Sequence, residues 1–175
     1  MKKTFVYVMA VPVLLTACQM KRNKKDMIVG QWQASRLENA QMDSGLILGQ
    51  KFIDTVGKNS DAATNFKVYG TSNMDSLRHV MQQQLDSMKI AQDEAIKNTI
   101  FNFRKDGMAI LTFSGRTDSA KWHYDQEGNS IVLDITQGQD NTKLNMDVAA
   151  ISDTVLKLKF VENGASSTVT FHPKR

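Results

Sequence analysis

The chain has 175 residues, 41% of them hydrophobic, a formal net charge of +4 and a single cysteine, Cys18. The positive excess sits at the N-terminus: from Met27 onward, 16 Lys plus Arg oppose 17 Asp plus Glu, so the body of the chain is close to neutral. That balance excludes a basic nucleic-acid-binding face, the lone cysteine excludes an internal disulfide, and the length suits one domain with its own core.

Lys2 and Lys3 precede an apolar run over residues 4–15, interrupted by Pro12. The run falls short of the about 20 helical residues that cross a bilayer. Charge, apolar segment and small residues, in that order, make a secretory signal peptide. Leu15-Thr16-Ala17-Cys18 resembles the lipobox of bacterial lipoproteins. The resemblance implies that residues 1–17 are removed and that Cys18 is lipidated, holding the protein permanently on a lipid bilayer. Stable attachment takes more than one acyl chain. Residues 18–27 then form a basic tether against anionic headgroups. Gln19 stands where an aspartate would retain a lipoprotein in the inner membrane, which points to the outer membrane. No acidic export run follows Cys18, which favours the periplasmic side.

Residues 28–175 form the expected domain. A first strand alternates over residues 28–37 around Gly30-Gln31-Trp32. Residues 41–98 do not read as β and are expected to be a two-helix insertion. In the first helix Met42, Leu46, Gly49, Ile53 and Val56 recur at helical spacing, with Asp43 or Ser44 as cap and a stop at Gly57. In the second, Met74, Leu77, Met81, Leu85, Met88, Ala91 and Ala95 make one apolar stripe, capped by Ser72 with Asp75 or Asn73 with Ser76. Between them, residues 58–71 form a polar connection in which Phe66, Val68 and Tyr69 suggest a short strand. A copper site on Met74, Met81 and Met88 fails on distance, because seven residues advance ~10.5 Å along a helix.

Seven further strands follow, over residues 99–104, 108–114, 119–125, 130–136, 143–151, 154–161 and 166–172, separated by turn chemistry such as Lys105-Asp106-Gly107 and Asn163-Gly164. A two-residue Asp106-Gly107 turn would place Phe101 and Phe103 on the face of Met108, Ile110 and Thr112. A three-residue loop with Gly107 left-handed instead pairs Arg104 with Met108 and gathers Phe101, Phe103, Ala109, Leu111 and Phe113 on one face. The second register collects the larger rings and is preferred. Later strands add the rows Trp122 and Tyr124, Ile131 with Leu133 and Ile135, and Leu156 with Leu158 and Phe160.

Gly30-x-Trp32 on a first strand resembles the Gly-x-Trp signature of lipocalins, and one strand plus seven makes eight, the number that closes a small ligand-holding barrel. The likeness covers residues 28–37 and 99–172. It implies a mainly β, eight-stranded antiparallel up-and-down barrel whose Trp32 plugs the closed end, with the helices as a lid over the mouth. On that reading the chain binds a small apolar or amphipathic ligand without catalysis. The walls would be Phe103, Leu111, Phe113, Trp122, Tyr124 and Leu133, with Met81, Leu85 and Met88 at the lid.

The competing reading is a cell-envelope interaction protein, an inhibitor or assembly partner with a solid barrel. A filled interior together with an exposed apolar stripe on the helices would favour it. Catalytic motifs are absent from the sequence. His79, His123 and His172 are isolated, and neither a metal nor a cofactor is expected.

Overall fold

The computed structural model describes residues 23–137, 140–162 and 164–174. Cys18, the signal segment and the start of the tether lie outside the described residues, as do residues 138–139, 163 and 175.

A short helix α1 (Lys24–Ile28) leads into β1 (Gly30–Asn39). Three helices follow, α2 (Ala40–Thr55), α3 (Ala62–Tyr69) and α4 (Met74–Lys97). The chain then runs through β2 (Ile100–Phe103), β3 (Met108–Phe113), β4 (Arg116–Asp125), β5 (Ser130–Gln137), β6 (Asp140–Ile151), β7 (Leu156–Glu162) and β8 (Ala165–Pro173). Each strand pairs antiparallel with the next, and β8 pairs with β1, closing an eight-stranded up-and-down barrel.

The first hairpin adopts the register that gathers the large rings. Phe103 lies opposite Ala109 and Phe101 opposite Leu111. The Arg104 amide donates to the Met108 carbonyl at 2.8 Å, and Gly107 has a φ of +84°, which a residue with a Cβ adopts at a cost. Strand alternation then sends one row from every strand inward, and these rows form one continuous core.

The closed end lies where β1 begins and β8 ends. Trp32 is buried there, and its indole Nε1 donates to the Ile28 carbonyl at 2.8 Å, so α1 is pinned beneath the barrel with Ile28 fully buried. The helical insertion leaves from the other end. Asn39 is both the last residue of β1 and the N-cap of α2, its side chain accepting from the Met42 amide. The cap sits earlier than Asp43 or Ser44, because the strand runs uninterrupted into the helix.

The insertion holds three helices rather than two. Residues 62–69, expected to carry a short strand, form α3, capped by Asp61 and ended by Gly70 at φ +72°. A local cap and a left-handed stop decide the conformation here, whereas Phe66, Val68 and Tyr69 find no neighbouring strand to pair with. At α4, Asn73 is the cap and accepts from the Ser76 amide at 3.0 Å.

Candidate functional site

Three regions bear on function: the barrel interior, the helical arm and the wall. In the interior, Trp122 meets Phe103 with ring centroids 5.1 Å apart, Phe103 meets Phe101 at 6.0 Å, and Phe101 meets Phe171 at 4.8 Å. Edge-to-face and tilted contacts at these spacings are favourable beyond the area they bury. A hollow wide enough for water would leave accessible surface on the residues that line it. Phe103, Ile131, Leu133, Leu156 and Leu158 have none. The lower barrel is therefore filled by its own side chains.

The closed end is also tied by polar contacts. Tyr124 Oη donates to Asn129 Oδ1 at 2.7 Å, Lys24 Nζ donates to the same oxygen at 2.7 Å, and Asn129 Nδ2 donates to the Val148 carbonyl at 2.8 Å. Towards the mouth, Leu37, Ile135, Leu144 and Phe160 are only partly buried, and Ile96 of α4 packs against the same core.

α2 and α4 form an antiparallel hairpin. Its seam places Leu85 against Gly49, where a Cβ would sit 3.7 Å from Leu85 Cδ1. Gln50 and Gln82 exchange side-chain amide hydrogen bonds of 2.8 and 3.3 Å, and Arg78 Nη1 donates to the Val56 carbonyl at 2.8 Å. Asn65 of α3 is buried, and its amide donates to the carbonyls of Gly57 and Ser60. The helices meet the barrel mainly at β1 and β8. Since Gln50 faces Gln82 and Val56 faces Arg78, the hairpin extends from its base as an arm of ~24 Å, at 1.5 Å per residue.

The residues expected to line one pocket lie in four places. Phe103, Leu111, Trp122 and Leu133 are buried in the packed core. Tyr124 is half-buried at the closed end, while Phe113 is 42% exposed at the mouth, its ring 5.2 Å from that of Phe101. Leu85 and the half-buried Met81 belong to α4, with Leu85 set against α2, whereas Met88 of the same helix is 63% exposed.

Sequence reasoning missed the outer face of the arm. Ile47, Leu48 and Phe52 on α2 and Phe66 and Val68 on α3 are all exposed large hydrophobics. The signal lay in α2, where Leu48 and Phe52 stand four apart and off the Leu46, Gly49, Ile53 row. The three histidines do not converge on one another; His172 Nδ1 lies 2.9 Å from the Thr154 carbonyl, and His79 and His123 are exposed. Among the described residues no helix is long and apolar enough to cross a membrane.

The fold and its sites thus define an up-and-down barrel of eight strands carrying a helical insertion after the first. No family model and no curated protein matches the chain. Among solved structures, a DUF4847 family protein from Bacteroides vulgatus ATCC 8482 is similar, with a TM-score of 0.45 and 11% sequence identity. That similarity covers 86% of this chain and 96% of the other.

Proposed function

We propose that this protein is a non-catalytic, lipid-anchored interaction module of the cell envelope. It docks a protein partner through the helical arm. The observation that carries this reading is a barrel filled in its lower half, beside helices that expose large apolar side chains: Leu48 is 64% exposed, Phe66 64% and Ile47 68%. A carrier with a deep calyx would need the lower barrel empty, and the rings of Phe103 and Phe171 occupy that space. Contiguous exposed apolar surface marks interaction sites, and on α2 Leu48 and Phe52 stand four residues apart on one side of the helix.

The polarity of the molecule supports the same reading. Acylation at Cys18 on the outer membrane would hold the closed end near the bilayer, because only the segment between Cys18 and Asn23 separates the anchor from α1. The arm leaves the opposite end and points into the periplasmic space, where proteins rather than lipids would meet it.

Two measurements test the proposal. Labelled fatty acid should be incorporated in the host and lost in Cys18→Ala. A photo-crosslinking residue at Leu48 or Phe52 should yield a discrete protein adduct in intact envelopes, and one at the barrel position Ile110 should not. Equal crosslinking at all three positions would end the docking reading.

A further inference from the structure

We infer that the barrel wall holds a binding site for a small anionic amphipath in a cleft between β4 and β5, separate from the arm and independent of its role. The ladder between these strands runs from Asp125 opposite Ser130 to Lys121 opposite Asp134 and stops there. Both strands continue: β4 stays paired with β3 as far as Arg116, and β5 stays paired with β6 as far as Gln137. The two hairpins therefore diverge above Lys121 and Asp134 and leave a notch that opens toward the mouth.

The notch is a cleft of about 440 Å³, within the size range of small-molecule sites. Its lining draws on both faces of the wall, with Met108 on the outer face in register with Lys121. Ala120 stands opposite Ala109 in the inward row, and Ile135 follows Leu133 in the inward row of β5, where it packs against the core. Thr142, in register with Ile135, completes the inner side. Lys121, Asp134 and Lys143 are in register with one another across β4, β5 and β6, in the outward row.

Charge selects the occupant. Asp134 is engaged by Lys143, with Nζ 3.7 Å from Oδ1. Among the described residues Lys121 has no ion-pair partner, so the rim carries a net positive charge. A single anionic head, carboxylate or phosphate, would sit at Lys121 and Lys143, with its short apolar tail against Met108 and Ile135, the part-buried apolar side chains of the lining. The packed floor at Leu133 and Trp122 limits how deep the tail can reach. Burial of the tail supplies affinity by area, and the lysines supply the preference for an anion.

Decanoate and decyl phosphate, each titrated below its micelle concentration and followed by backbone amide NMR of the purified protein, test the site. Saturable shifts centred on Ser119, Lys121, Asp134 and Thr142 are expected with both. Decanol and decyltrimethylammonium should bind about tenfold more weakly, and Lys121→Glu should weaken decanoate by about as much. Thr142→Trp, a substitution at an exposed strand position, should fill the cleft and abolish the shifts while the remaining amide spectrum is retained. Leu48→Lys, on the arm, should leave decanoate binding unchanged, so failure of partner docking and failure of this site are read separately.

Three outcomes overturn the proposal: no saturable shift with either anion, equal binding of decyltrimethylammonium, or shifts confined to the arm. An extended Thr-Val repeat peptide that protects the Ser119 and Thr136 amides, with decanoate inert, assigns the cleft to a docking strand instead.

Discussion

In the barrel, Phe103, Leu133, Leu156 and Leu158 have no accessible surface, whereas on the arm Ile47, Leu48, Phe66 and Met88 keep between 63% and 68% of theirs. The difference follows from geometry. In the lower barrel the closed sheet wraps inward residues on all sides, so each row meets rows from across the barrel. A helical hairpin has one seam, and the Gly49, Ile53 and Leu85 side uses it. The outer half of an isolated hairpin is ordinarily polar. Here α2 carries Leu48 and Phe52 on that half, so the arm is built with more apolar surface than it can bury alone.

Removing a ring from the barrel tests the packed side of this contrast most severely. Phe103→Ala deletes a fully buried ring that touches both Phe101 and Trp122. We expect a loss of about 3–5 kcal/mol in denaturant unfolding, and the loss should be global, because the ring sits where three strands converge. A cost below about 1 kcal/mol would mean that the interior is looser than its accessibility indicates.

The arm should be open to local damage. Gly57 follows the α2 cap with a φ of +70°, and a Cβ there would stand 2.5 Å from Met74 Cε and 2.6 Å from Cγ. Gly57→Ala should cost about 1–2 kcal/mol through the left-handed backbone alone, and the Met74 contact adds to it. Hydrogen exchange should quicken across α2 and α4 while β5 and β6 keep their protection. Uniform loss of protection would show that arm and barrel unfold as one unit.

How far the sequence could be read divides along the same line. The barrel was legible because strand alternation is local and binary: once Gly107 sets the first turn, Phe101, Phe103 and Leu111 have no choice of face. Trp32 at the closed end followed from its motif. α3 was misread because Phe66, Val68 and Tyr69 have strand-like composition, and the outcome was decided by Asp61 and Gly70 at its two ends. Whether the interior was hollow lay beyond the sequence altogether. That depends on how rings from β2, β4 and β8 meet across the barrel, and no single segment encodes it. The wall cleft was illegible for the same reason, since it arises where a ladder between two well-formed hairpins stops.

Smaller effects sharpen the contrast within the arm. The Gln50–Gln82 amide exchange is part-buried in the seam. Gln82→Ala should cost about 1 kcal/mol, and a double-mutant cycle with Gln50→Ala should return coupling of similar size. On the outer face, Leu48→Lys should leave stability within about 0.5 kcal/mol, because this side chain is 64% exposed, whereas Phe52→Lys, at a half-buried ring, should cost about 1 kcal/mol. The same substitutions should remove crosslinking to the partner. If instead they unfold the arm, the outer face is structural and the docking proposal loses its surface.

The smallest effect is electrostatic and confined to α3. The Asp61 carboxylate accepts from the Thr64 amide at 2.7 Å. Hydrogen bonds from Thr64, backbone first, hold its pKa below the ordinary carboxylate value of 3.8. A carboxyl whose folded pKa is depressed stabilises the helix fully above the unfolded pKa, and that contribution is lost as pH falls through the folded value. Acidification from pH 5 toward about pH 2 should therefore fray the first turn of α3, seen as faster solvent exchange at the Thr64 and Asn65 amides relative to those of β5. Asp61→Asn keeps an oxygen acceptor but cannot titrate, so it should flatten that pH profile without melting the helix at neutral pH. An unchanged profile in Asp61→Asn would assign the acid response to another group on the arm.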